Sequence, residues 1–157
     1  RKVGEIHTPR AIKAAGLEEK FFSERSRVLL EEVIPRFKAT LSHNLTIGKW
    51  SGYLRNTYYG KATGPDIIAA DKRIGDFEFD EHGHQVFHGK VITDLSVAYN
   101  FTPKTSLTLG VNNLLDLYPE KNVKANSNND QFVYSRATSQ FGLNGRYVFL
   151  RATFNLF

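Results

Sequence analysis

Cysteine and methionine are both missing from the 157 residues. Without cysteine there can be no disulfide framework, thiolate metal site or cysteine nucleophile, and the redox compartment stays open. The chain opens on Arg1, with no charged start and apolar run of the signal-peptide kind, and is expected to be a piece of a longer protein. Long apolar runs are missing too. None approaches the roughly 18 residues that a membrane-crossing helix needs. The mean hydropathy of −0.37 suits a soluble protein, but it suits a transmembrane barrel equally, because barrel strands alternate lipid-facing with lumen-facing residues. Phosphate loops, dinucleotide fingerprints, nucleophile elbows and HExxH are absent, so no enzyme and no cofactor is expected. The net charge of +5 comes from scattered basic residues and reads as ordinary solvated charge, without a nucleic-acid partner.

Aromatics are abundant instead, at 13% with seven Tyr and twelve Phe, and the second half is rich in Asn, Thr and Ser. That composition leans toward β structure. Five segments alternate with period two: 36–47, 50–60, 91–101, 105–115 and 145–157. In the first, Phe37, Ala39, Leu41, Leu45 and Ile47 share a face that only His43 interrupts. In the second, Trp50, Leu54 and Tyr58 share theirs with Asn56. Val91, Leu95, Val97, Tyr99 and Phe101 group in the third, opposite Asp94, Ser96 and Asn100. Leu107, Leu109 and Val111 do so in the fourth, and Val148, Leu150, Ala152, Phe154 and Leu156 in the fifth. Globular strands run about 5–6 residues. These runs match the roughly 9–11 of a tilted membrane strand.

Connections alternate in length as well. Gly48-Lys49 and Thr102-Pro103-Lys104 are hairpin turns, whereas about 30 residues separate the second strand from the third and the fourth from the fifth, which is long for a compact domain. Short turns on one rim and long loops on the other are the outer-membrane barrel pattern. Trp50, Tyr99, Phe101 and Phe154 fall near the short-turn rim; Tyr58, Tyr59, Tyr118 and Tyr147 fall near the other, as two aromatic girdles would. On this reading the C-terminus is periplasmic, and 10–35, 61–90 and 116–144 are extracellular loops. Residues 1–9 end an earlier strand. Within 10–35, AIKAAGLEEKFF has helical character and RSRVLLEEV extends the first strand.

Three stretches carry a family resemblance: LSHNLTIGKWSGYLRNTYYGK (41–61), GKVITDLSVAYNFTPKTSLTLGVNNLLDLYPEK (89–121) and SQFGLNGRYVFLRATFNLF (139–157). In order and spacing they resemble the C-terminal barrel part of TonB-dependent outer-membrane receptors. The motif positions that match are Asp94, Gly110, Asn112, Asn113, Asp116, Tyr118, Pro119, Gly142, Gly145 and the terminal Phe157. Phe157 departs from the pattern: counting back in twos lands on Asn155, Thr153 and Arg151, which suit a lumen rather than lipid. The resemblance implies an all-β fold, an antiparallel up-and-down transmembrane β-barrel segment of about five to six C-terminal strands from a barrel of about 22. It implies active import of a scarce nutrient such as a ferric siderophore, with outer-membrane lipid, the remaining strands, a plug domain and the TonB complex as partners. Neither the plug nor the TonB-contacting motif lies in this sequence.

Two constellations are candidates for ligand contact. HGHQVFH brings His82, His84 and His88 close in sequence. Imidazoles at i and i+2 of a strand point the same way and can bind a transition metal or haem; the plainer reading is a solvated polar loop tip. Arg36, Lys38, Arg55 and Arg151 line the polar face and would attract an anionic chelate, unless carboxylates such as Asp94 neutralise them. The rival readings of the whole chain are a soluble β-barrel that binds a small ligand in its interior and a small stand-alone outer-membrane barrel.

Overall fold

The computed structural model describes residues 2–67, 73–128, 131–138 and 140–155. In chain order the elements are helices α1 (Arg10–Ala14), α2 (Glu18–Phe21) and α3 (Glu24–Glu31), then strands β1 (Lys38–Ile47), β2 (Trp50–Tyr59), β3 (Ala62–Ile67), β4 (Arg73–Ile74), β5 (Phe77–Phe79), β6 (His84–Phe87), β7 (Lys90–Thr102), β8 (Thr105–Asn112) and β9 (Tyr147–Phe154). The fold is mostly antiparallel β-sheet. It divides into two units of interleaved sequence: Arg1–Phe37, Gly60–Gly89 and Pro119–Phe141 form one, and Lys38–Tyr59, Lys90–Tyr118 and Gly142–Phe157 the other.

The second unit is a five-stranded open sheet in the order β1-β2-β7-β8-β9, with every neighbouring pair antiparallel. Its two hairpin turns are tight. Gly48 takes a left-handed φ of 57° at the β1–β2 turn, the conformation that glycine adopts without a Cβ penalty. Pro103-Lys104 forms the other turn, flanked by the Thr102↔Thr105 pair, and the register shifts between Asn100 and Thr102.

Register explains the two faces. Side chains opposite one another across a ladder share a face. Thus Ile47, Trp50, Tyr99, Leu107 and Ala152 form one row, and Leu54, Leu95, Val111 and Val148 belong to another on the same side. That side is mostly apolar and largely exposed: Leu109 is 55% and Leu150 68% accessible. Asn56 and Thr93, which interrupt it, satisfy each other through a 2.8 Å bond from Thr93 Oγ1 to Asn56 Oδ1. The opposite side carries Thr40, Ser42, Asn44, Arg55, Asp94, Ser96, Thr108 and Arg151. Along β7, Ile92 and Asp94 are buried while Val91 and Leu95 are exposed. Near the hairpin turns, Trp50 meets Tyr99 edge-on at 4.8 Å and Tyr99 meets Phe101 at 4.9 Å.

The five alternating segments appear as strands, with trimmed ends. β8 stops at Asn112 rather than 115, because Asn113 is left-handed with φ 51° and turns the chain out of the ladder. Arg36 lies outside β1 and pairs with Glu31 and Glu32 instead of lining the polar face. The positions of Leu156 and Phe157 lie outside the described residues.

The first unit corrects the expectation of loops. Residues 62–67, 73–74, 77–79 and 84–87 form a second open antiparallel sheet in the order β3-β6-β5-β4. RSRVLLE is not a strand extension but most of α3: the Ser23 hydroxyl caps it by accepting from Ser26 N at 3.2 Å, and Val28 turns inward. Thr63 N donates to Glu32 O, holding β3 beside the end of α3. Val28, Val33, Ala62, Phe79, Val86, Phe87 and Val123 make the core. Residues 2–9 contain no strand. Among the described residues no helix is long and apolar enough to cross a membrane.

Candidate functional site

Two clusters of polar side chains stand out, one in each unit. In the five-stranded sheet the cluster lies where β8 ends, beside the middle of β2 and the first half of β7. Arg55 grips Asp94 with Nε at 2.9 Å and Nη2 at 2.7 Å from Oδ2. Asp94 Oδ1 accepts the backbone N–H of Asn113 at 2.8 Å. The carboxylate of buried Asp94 is therefore shared between a guanidinium and the backbone that leaves the ladder, and charge-assisted bonds of this kind are the strong ones. Arg55, a candidate for ligand contact, is answered inside its own sheet.

The motif positions after β8 build a clasp. The Asn113 side chain donates to Leu117 O and accepts from Leu117 N, at 2.7 and 3.0 Å. Asp116, also left-handed at φ 56°, accepts the Arg146 N–H at 2.7 Å. Tyr118 O accepts from Lys90 Nζ. Gly145 has φ 65°, and a Cβ there would overlap the Tyr118 hydroxyl and the Asp116 carboxylate. Glycine is needed at Gly110 for another reason: the Phe149 ring lies across it where a Cβ would stand. Asn112 stays in the ladder opposite Tyr147. A Cβ at Gly142 would meet nothing, and Gly142 does not share the positive φ of Gly145. Pro119 falls in the other unit, at the start of its 119–141 segment.

In that first unit the three histidines part company. His82 sits in an exposed turn. Gly83, with φ 82°, ends that turn, so the strand geometry that would have aligned His82 with His84 begins only at His84. His84 is completely buried, correcting the solvated-tip expectation, and neither ring nitrogen has a hydrogen-bond partner among the described residues. An unmet buried polar group costs about 1–3 kcal/mol. His88 lies half-exposed between two carboxylates, with Nδ1 3.1 Å from Glu120 and Nε2 3.2 Å from Glu78. Among the described residues no three His, Cys, Asp or Glu side chains group so as to hold a metal ion, and HGHQVFH does not supply a converging ligand set.

Cavities lie in the first unit as well. One, of about 330 Å³, is walled by α3 residues Glu24, Arg27, Val28 and Glu31 together with Glu32, Asp80, His82 and His84. Another, of about 240 Å³, includes Arg25, Asp66, Asn122, Asn126, Ser135 and Arg136 in its lining. There Arg25 pairs with Asp66 at 2.8 Å and the Arg136 guanidinium lies 4.4 Å from the Phe132 ring centre. Gln85 and Gln140 were not singled out from sequence, yet both organise this unit. Gln85 donates to Lys121 O and accepts from Val123 N. Gln140 Nε2 donates to Gly60 O at 2.7 Å and His88 O at 2.9 Å. No local pattern announces a glutamine whose partners lie tens of residues away. Comparison with protein-family models, with curated proteins and with solved structures finds no match.

Proposed function

We propose that the chain is the C-terminal barrel part of a TonB-dependent outer-membrane receptor that imports a scarce nutrient, a ferric siderophore or a similar chelate. The observation that carries this reading is the five-stranded sheet whose apolar side is exposed across all its strands while its polar side holds the Arg55–Asp94 pair with its carboxylate buried. A sheet in water covers its apolar side. A sheet in lipid turns that side outward and keeps charges toward the lumen. The aromatic cluster of Trp50, Tyr99 and Phe101 beside the hairpin turns suits the headgroup level.

The outer edges of β1 and β9 are unpaired among the described residues. Lipid supplies no hydrogen bonds to such edges, so the reading requires further strands on both sides. The short turns then face the periplasm, as does the C-terminus, and the 60–89 and 119–141 segments are extracellular elaborations that meet the ligand. Import itself needs the plug and the TonB contact supplied by the rest of the receptor.

The absence of cysteine makes the test direct. Single cysteines replace Leu109, Leu150, Thr108 or Arg151 in the full receptor in lipid vesicles, each labelled with an environment-sensitive dye. Quenching by lipid-borne quenchers at 109 and 150, and by aqueous iodide at 108 and 151, is expected. The reverse pattern would mean that the apolar side points inward, as in a soluble ligand-binding barrel.

A further inference from the structure

The cavity of about 240 Å³ has two arginines and one carboxylate in its wall. Arg25 is answered, with Nε 2.8 Å from Asp66 Oδ1. Arg136 pairs with no carboxylate among the described residues, so the lining keeps one positive charge. What holds Arg136 is the Phe132 ring, whose centre lies 4.4 Å from the guanidinium carbon. A guanidinium held over a ring keeps its N–H donors for another partner.

Two more lining groups have protons to give. The Ser135 hydroxyl accepts the Thr138 N–H at 2.9 Å, which leaves its own proton to donate. The Asn126 amide makes no side-chain hydrogen bond among the described residues. The wall that carries these groups is tied down without a ligand. Lys121 bridges Tyr134, Asn122 N donates to Val133 O and Phe132 N to Ser127 O, both at 2.8 Å, and Gln85 clamps the same segment through Lys121 O and Val123 N. Preformed walls spare a ligand the cost of ordering them. A lone surface arginine would be ordinary solvated charge. A fixed guanidinium, a hydroxyl and an amide around one concave space are instead a set of donors short of an acceptor.

We propose that this cavity binds a small carboxylate, held by the N–H donors of Arg136 with help from Asn126 and Ser135. The occupant is anionic because it balances Arg136, and the planar guanidinium fork matches a carboxylate through two parallel bonds. One net positive charge suits a monoanion. A phosphomonoester carries about −1.5 to −2 charges at pH 7 and would face Asp66 with part of that charge unanswered. The volume of about 240 Å³ falls below the range of small-molecule sites, about 300–1,000 Å³, so the ligand has few atoms. The site lies within one unit and stands whether or not the five-stranded sheet crosses a membrane.

Calorimetric titration of the full protein in detergent micelles with propionate tests this. Propionamide is the control of similar shape without the charge, and methyl phosphate is the control for a phosphoryl group. Saturable propionate binding is expected, at least about tenfold tighter than propionamide, as the loss of a charge-assisted hydrogen bond implies. Arg136→Ala should abolish it. Arg27→Ala removes an equal charge from α3, outside this lining, and should leave it unchanged. Both positions are exposed, so the fold tolerates either change. Equal losses in the two variants would reduce the site to diffuse charge and overturn the proposal. So would tighter binding of methyl phosphate, equal affinity for propionamide, or no saturable binding at all.

Discussion

The two units of this chain bury their apolar residues in opposite ways. In the first, Val86 and Phe87 of β6 disappear into a core, and even His84 and Gln85 beside them are inaccessible. In the second, Leu95, Val97, Leu109 and Leu150 lie on the open side of the sheet and Asp94 is the residue withdrawn from solvent. Both units are built from antiparallel strands, so the secondary structure does not make the difference. The distribution of polarity between the two sides of the strand does, and on the proposed reading two solvents shape one chain: water around the first unit and lipid against the second.

Substitutions can break or sharpen this contrast. The largest effect is expected for Phe87→Ala. Phe87 is 3% exposed, and truncating a buried phenylalanine costs about 3–5 kcal/mol. The damage should stay in the first unit. Limited proteolysis should then cut within 60–89 and 119–141, while the five-stranded sheet stays protected and, on the proposed reading, the heat-modifiable gel mobility of the receptor persists. Leu109→Arg should do the opposite, costing about 2–4 kcal/mol in a bilayer and leaving the first unit protected. Folding into lipid vesicles at different urea concentrations measures it, and a near-zero cost would place Leu109 in water. Gly110→Ala comes next, at about 1–3 kcal/mol, because the Phe149 ring must leave its place across the strand; the double variant with Phe149→Leu should recover most of that loss in the same assay. The smallest effect belongs to His88→Ala. Its pairs with Glu78 and Glu120 are half-exposed and such pairs are worth less than about 1 kcal/mol, so thermal unfolding should barely move.

What could be read from sequence divides along the same line. The five long strands were legible because alternation over ten or so residues is a strong local signal. The hairpin at Gly48-Lys49 was legible because a two-residue turn needs glycine-like freedom. The second sheet was not. β4 has two residues, β5 three and β6 four, too short to show a period, and they are held by partners such as Gln140 and Lys121 far along the chain. α3 was misread since VLLEEV fits a strand as well as a helix, and the deciding feature was the Ser23 cap rather than the apolar pattern. The HGHQVFH cluster misled because spacing of i and i+2 was taken for strand geometry, whereas Gly83 ends a turn between His82 and His84. Of the candidate ligand residues only His84 lies in a cavity wall as a buried group, and its burial was invisible locally. The Asn113 and Asp116 positions were legible as a strand exit, but not their particular backbone partners.

One rung of the ladder has a wider consequence. Tyr59 at the end of β2 lies opposite Lys90 at the start of β7, so Gly60–Gly89 departs and returns at a single step of the register. The strands on either side have already met without it. Closing a longer excursion costs only about 0.6 kcal/mol for each doubling of its length. Descent with variation can therefore trade this insert for another of different size and chemistry while each strand keeps its neighbour on an unchanged frame.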